Sequence, residues 1–223
     1  ATTLSALIST YLEGDAGLNC PKAIIAPHAG YTYSGAIAGE VYRKLGSAHD
    51  KIKRVVLLGP SHRVAFKGMA VPLSTSFRTP LGDIPVDSES IQQIVDGTSV
   101  GYLDEAHREE HSLEVHLPFL QHALDDFTLV PIVVGDASKE SVAAVLEKLW
   151  GGDETIVVIS TDLSHFETYD TANSLDENTT RKIMMLDATL NGDEACGCRP
   201  VNGLLHYIKT HGLAIETVNV KNS

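Results

Sequence analysis

The stretch KAIIAPHAG, Lys22–Gly30, is a short unbroken apolar run that stops at a proline, a histidine and a glycine. Apolarity without polar alternation predicts a strand buried on both faces, the kind found in parallel sheets covered by helices. The same form recurs in RVVLLGPSH, Arg54–His62, and in TIVVISTDLSH, Thr155–His165. A fourth run, TLVPIVV at Thr128–Val134, contains Pro131, which cannot donate to a ladder and so predicts an edge or bulged strand. Met69–Pro72 and Ala214–Val220 read as further short strands. Helical stretches are expected at Ser34–Leu45, Ser88–Asp96, Glu109–Leu124 with a break or kink at Pro118, Ser138–Leu149, Asn178–Leu190 and Pro200–His211. Phe77–Val86, with Pro80, Gly82 and Pro85, reads as a loop. This alternation predicts an α/β fold: one domain over residues 1–223, with a largely parallel central sheet flanked by helices.

Composition narrows the function classes. The 223 residues carry 17 Lys and Arg against 29 Asp and Glu, a formal charge of −12. That surface repels phosphate backbones and anionic lipids, so neither nucleic acid nor membrane is an expected partner. Hydrophobic residues at 43% and charged residues at 21% are ordinary globular usage and exclude wholesale disorder. No apolar run approaches the roughly 18 residues of a membrane span. No basic segment followed by an apolar one opens the chain, so no secretion leader is expected. Three cysteines, Cys20, Cys196 and Cys198, are an odd set without a disulfide framework, which points to a reducing cytoplasm.

The histidines carry more information. His28, His62 and His165 each follow an apolar β-run. In an open parallel sheet the carboxyl ends of the strands share one edge, where ligands bind. Three such imidazoles can converge there as metal ligands or as acid–base groups. Independent loop histidines are the plain alternative. Asp162, three residues before His165, can orient an imidazole, or can simply cap a helix. In Glu109–His116, His111 and Glu114 are three apart and share a helical face, while His116 lies about 200° around. This is not the H-E-x-x-H zinc signature. Cys196-Gly197-Cys198-Arg199-Pro200 precedes a helix, whose N-terminus favours a thiolate; one cysteine can complete a His-His-Cys set, or both can be structural. No nucleophile elbow, P-loop or dinucleotide fingerprint is present.

Together these segments resemble the Memo family, whose bacterial and archaeal members are called AmmeMemoRadiSam system protein B. APHAGYTYSG (Ala26–Gly35), LGPSH (Leu58–His62), EHSLEVHLPF (Glu110–Phe119), STDLSHF (Ser160–Phe166) and ACG (Ala195–Gly197) are similar to its five motifs and occur in family order. The resemblance implies a fold like that of the class III extradiol dioxygenases, which are non-haem iron enzymes. It implies His28, His62 and Cys196 as metal ligands, and His165 with Asp162 as catalytic residues. It further implies His111, Glu114, Tyr31 and Ser61 as a second tier of the same cleft. The dioxygenases use two histidines and a carboxylate, whereas a softer cysteine stands here. The cofactor expected is a divalent transition metal, iron first, with copper or zinc as alternatives. The resemblance also implies an unknown small-molecule substrate, a pathway association with AMMECR1-like and radical-SAM proteins, and further short family segments at both ends.

Three readings follow. The first is a metal-dependent, dioxygenase-like oxidoreductase. The second is a non-catalytic metal- or peptide-binding scaffold. The third is a copper or iron handling protein using Cys196 and Cys198.

Overall fold

A computed structural model describes residues 1–17 and 19–222. The chain opens with helix α1 (Thr2–Leu12) and enters the sheet at β1 (Ala23–Ala26). Helix α2 (Tyr31–Tyr42) and a 3-10 turn at Arg43–Ala48 lead to β2 (Arg54–Pro60) and β3 (Met69–Val71). A hairpin, β4 (Ser76–Thr79) and β5 (Gly82–Pro85), precedes α3 (Ser88–Val95) and β6 (Val100–Tyr102). Three short helices follow: α4 (Glu105–Arg108), α5 (His111–Glu114) and α6 (Leu117–Ala123). The remainder is β7 (Thr128–Val134), α7 (Lys139–Leu149), β8 (Thr155–Ser160), α8 (Tyr169–Met184) and α9 (Cys198–His211).

The central sheet has the order β1-β8-β2-β7-β3-β6. Its first four strands are mutually parallel, and β3 turns antiparallel to β7 with β6 parallel to β3. The unbroken apolar runs are explained by burial on both faces. Val56, Leu58, Val130, Ile132, Val157 and Ile159 pack under α3, α7 and α9, while Val55, Leu57, Leu129, Val133, Ile156 and Val158 pack under α1, α2 and α6. Ala26 pairs with Ser160, and Ile159 with Leu58. The carboxyl ends of β1, β8 and β2 therefore lie side by side, and the residues after them share one edge. No helix among the described residues is long and apolar enough to cross a membrane.

Several segments differ from expectation. Thr128–Val134 is a central strand, not an edge. It tolerates Pro131 because the β3 side of that strand is open at this point. Leu129 accepts from Asp87 N–H and Val133 pairs with Ala70, so the missing donor falls in a gap of the ladder. Phe77–Val86 is a hairpin rather than a loop, with Pro80 and Leu81 at its tip and Gly82 at φ +134°. The helix expected over Glu109–Leu124 is α5 and α6, broken before Pro118 at Val115-His116. The helix expected at Asn178–Leu190 begins at Tyr169 and stops at Met184. Its buried face holds only Ala172, Asp176 and Thr179, so no apolar stripe marked it. Ala214–Val220 forms no strand, because it runs over the end of α2: Glu216 pairs with Lys44 of the 3-10 turn, and the Asn219 amide donates to Glu40 of α2. Helix α1 and strand β6 are additional elements.

Candidate metal centre

Each strand end delivers one part of the site. His28 follows β1 and is almost wholly buried. Its backbone N–H and that of Ala29 both donate to Asp162 Oδ1, at 2.8 and 3.2 Å. His62 follows β2, and its backbone N–H donates to Glu110 Oε2 at 2.6 Å. Cys196 sits in the turn before α9, where its N–H donates to the Asp162 carbonyl at 3.3 Å. Its sulfur accepts from Asp162 N–H, also at 3.3 Å. The turn nestles against β8 because residue 197 is glycine: a Cβ there would strike the Ser160 carbonyl and Thr161. One ligand atom each from His28, His62 and Cys196 lie within 4.8 Å of one another.

The hydrogen bonds decide which ring nitrogens face inward. His28 Nδ1 is 2.5 Å from Ser160 Oγ, which itself donates to the Ser112 carbonyl at 2.6 Å. His62 Nδ1 is 2.8 Å from Glu110 Oε1. Both Nδ1 atoms are thus occupied as donors, and His28 Nε2 lies 3.3 Å from Cys196 Sγ. Bond lengths of about 2.0 Å to nitrogen and 2.3 Å to sulfur place two such donors roughly 3.5 Å apart in a tetrahedral centre. The donor set therefore fits a transition metal. Burial pushes the Cys196 thiol up, but hydrogen bonds from His28 and His62 outweigh it and bring it down to about 6. Hydrogen bonds to Cys196 and Glu110 raise His62 to about 10. Burial opposes ionisation of Glu110, yet the bonds from His62 and Ser112 hold it down at about 2.

The remaining expected residues divide. Asp162 Oδ2 stands 3.7 Å from both His28 Nε2 and His165 Nε2, an ion-pair distance and not a hydrogen bond. Asp162 caps no helix; the cap of α8 is Thr168. Asp162, His165 and Cys196 form a second overlapping ligand group, and His62, Glu110 and His111 a third. His111 stacks on His62 with ring centroids 4.8 Å apart, and its side chain is half exposed. Glu114 is exposed and makes no hydrogen bond to His111; its charge and burial raise the Tyr31 hydroxyl to about 12, burial being the larger cause. Tyr31 donates to the Val115 carbonyl. Ser61 donates to the Val64 carbonyl at 2.6 Å and closes the strand exit. Cys198 packs against the apolar core, where burial raises its thiol, and it belongs to none of the ligand groups among the described residues. Glu110, Ser112 and Ser160 were not singled out from the sequence. The one available signal was an acidic residue at the cap position of α5, where Glu110 accepts from Ser112 N–H.

A family model for Memo-like proteins matches residues 1–221. Among curated relatives, a MEMO1 family protein of Methanothermobacter thermautotrophicus is 36% identical over 175 residues, covering 75% of this chain and 62% of the relative. One from Metallosphaera sedula is 35% identical over 181 residues, covering 78% and 64%. One from Archaeoglobus fulgidus is 34% identical over 215 residues, covering 90% and 79%. The match thus spans somewhat less than two thirds of the first two relatives' length. Among solved structures, an uncharacterized protein of Escherichia coli K12 shares the fold with a TM-score of 0.53, at 16% identity over 77% of this chain and 80% of that one. With the family match running from residue 1 to residue 221, this chain belongs to the Memo-like protein family.

Proposed function

We propose that the protein is a metal-dependent oxidoreductase acting on a small molecule, with His28, His62 and Cys196 as ligands and divalent iron as the metal. The observation that carries this reading is the convergence of two imidazole Nε2 atoms and a thiolate-prone sulfur at the carboxyl edge of a parallel sheet. Bound iron would supply one-electron chemistry. The chain supplies the rest. Cys196 and His62 provide charge and geometry. Asp162 fixes the backbone of His28 and the approach of Cys196 at once. His165, with its side chain 39% exposed, stands at the mouth and exchanges a substrate proton at Nε2. A second reading, metal handling, draws on the thiolate, a softer donor than the carboxylate of the two-histidine facial triad and one suited to copper.

Elemental analysis of tag-free, anaerobically purified protein separates these readings. Near-stoichiometric iron, absent from a His28→Ala/His62→Ala variant, supports the first and leads to oxygen-consumption assays. Copper lost in the same variant moves the assignment to metal handling. Protein that stays empty through repeated reconstitution ends both. Within the first reading, His165→Ala is expected to keep its metal and lose about 10²–10⁴-fold in turnover. Loss of the metal instead would make His165 a ligand.

A further inference from the structure

We propose that Glu110, Ser112 and Ser160 act as one positioning unit that makes both His28 and His62 ligate through Nε2. The inference rests on the metal reading above and deepens it. Ser112 is wholly buried, and each of its polar groups is committed. Its N–H donates to Glu110 Oε1 at 2.9 Å. Its hydroxyl donates to the Pro60 carbonyl at 2.8 Å, fixing the end of β2 just before His62. Its carbonyl accepts the Ser160 hydroxyl proton at 2.6 Å. With that proton committed, Ser160 Oγ can only accept from His28, so the His28 proton resides on Nδ1. Glu110 accepts three donors on two oxygens: His62 N–H, His62 Nδ1–H and Ser112 N–H. Only a carboxylate does this; an amide has one acceptor oxygen and would turn two hydrogens toward these donors.

Two ligands 34 positions apart in sequence are therefore aligned on a single backbone unit. Gly59 allows the close approach, since a Cβ there would lie 2.7 Å from Ser112 Oγ. Loss of Glu110's bond to Ser112 N–H loosens the carbonyl that holds Ser160, so damage on the His62 side is transmitted to His28. That coupling distinguishes a unit from two unrelated hydrogen bonds.

The test uses the full chain, Co²⁺ alone as the affinity probe and Zn²⁺ loading for imidazole ¹⁵N spectra. Wild type is expected to show a thiolate-to-cobalt absorption band that Cys196→Ser removes, and Nδ1–H signals for both histidines in the zinc form. Ser160→Ala is expected to lower Co²⁺ affinity about 10–100-fold and to abolish the single Nδ1–H state of His28. Glu110→Gln is expected to lower affinity by a similar factor and to disturb the His28 signal as well. The double variant should lose less than the product of the two factors. Strict multiplicativity, or a His28 signal untouched by Glu110→Gln, overturns the unit while leaving the metal reading intact. A wild type without the cobalt band, or a band that survives Cys196→Ser, overturns the metal reading and this inference with it. Circular dichroism checks each fold. If Glu110→Gln fails to fold, the His28 ring signal in Ser160→Ala decides alone: an unchanged Nδ1–H state overturns the inference.

Discussion

His62 carries the charge that decides how readily the centre accepts a cation. Without metal, the Cys196 sulfur and the Glu110 carboxylate together hold its imidazole protonated to about pH 10, while Cys196 ionises at about 6. Between those values the site is a thiolate paired with an imidazolium. A metal entering there must displace at least one proton, from His62. Mass action then raises the affinity at least about tenfold for each unit of pH in that window. Below about pH 6 the Cys196 thiol must also give up its proton, and the slope steepens further. Competition titrations with Co²⁺ at half-unit intervals from pH 5 to 9 measure this slope. A flat profile would show that neither group ligates. His28, His62 and Cys196 were legible in sequence because strand-end histidines recur in one pattern and the motifs keep family order. Glu110 and Ser160 were not, because their roles come from contacts 48 and 132 residues away in the chain.

At the scale of elements, glycines set how closely the layers approach. Gly59 lies in β2 beneath α5, and a Cβ would lie 2.7 Å from Ser112 Oγ and 2.8 Å from a Leu113 methyl. Gly39 lies in α2 against α1, where a Cβ would meet the Tyr11 backbone carbonyl. Alanine at either position is expected to cost about 1–3 kcal/mol of stability by overpacking. Only Gly59→Ala should also weaken Co²⁺ binding, because only it pushes Ser112 away from the ligand supports. Denaturant melts beside cobalt titrations separate the two effects, and equal affinities in both variants would refute the distinction. The parallel strands were legible because unbroken apolar runs have one explanation, burial on both faces. Pro131 misled because a proline excludes only one hydrogen bond, and the gap between the Leu129 and Val133 contacts needed none there. Helix α8 misled for the opposite reason: it is held by a short contact face and by Asp176 receiving the Ser164 N–H, not by an apolar stripe.

At the scale of the molecule, the three proposed ligands come from the exits of β1 and β2 and from the turn before α9, so a metal bound there would tie residue 28 to residue 196 across the sheet edge. The unfolded chain has no such preformed site, so binding free energy becomes folding free energy. At free metal a thousandfold above the dissociation constant, the gain is about 4 kcal/mol. For a chain near 200 residues each kcal/mol raises Tm by roughly 2–4 °C, so a shift of roughly 8–16 °C is expected. The shift should rise with the logarithm of metal concentration, reverse with a chelator, and vanish in the His28→Ala/His62→Ala variant. An equal shift in that variant would place the cation elsewhere, on the acidic surface that the charge of −12 provides. Ionic strength decides between these sources: surface attraction fades as salt rises past about 0.15 M, whereas coordination at a buried His–His–Cys set is screened far less. A melting shift that survives salt and needs His28 and His62 therefore locates the metal at the strand ends, where the parallel sheet brings its loops together.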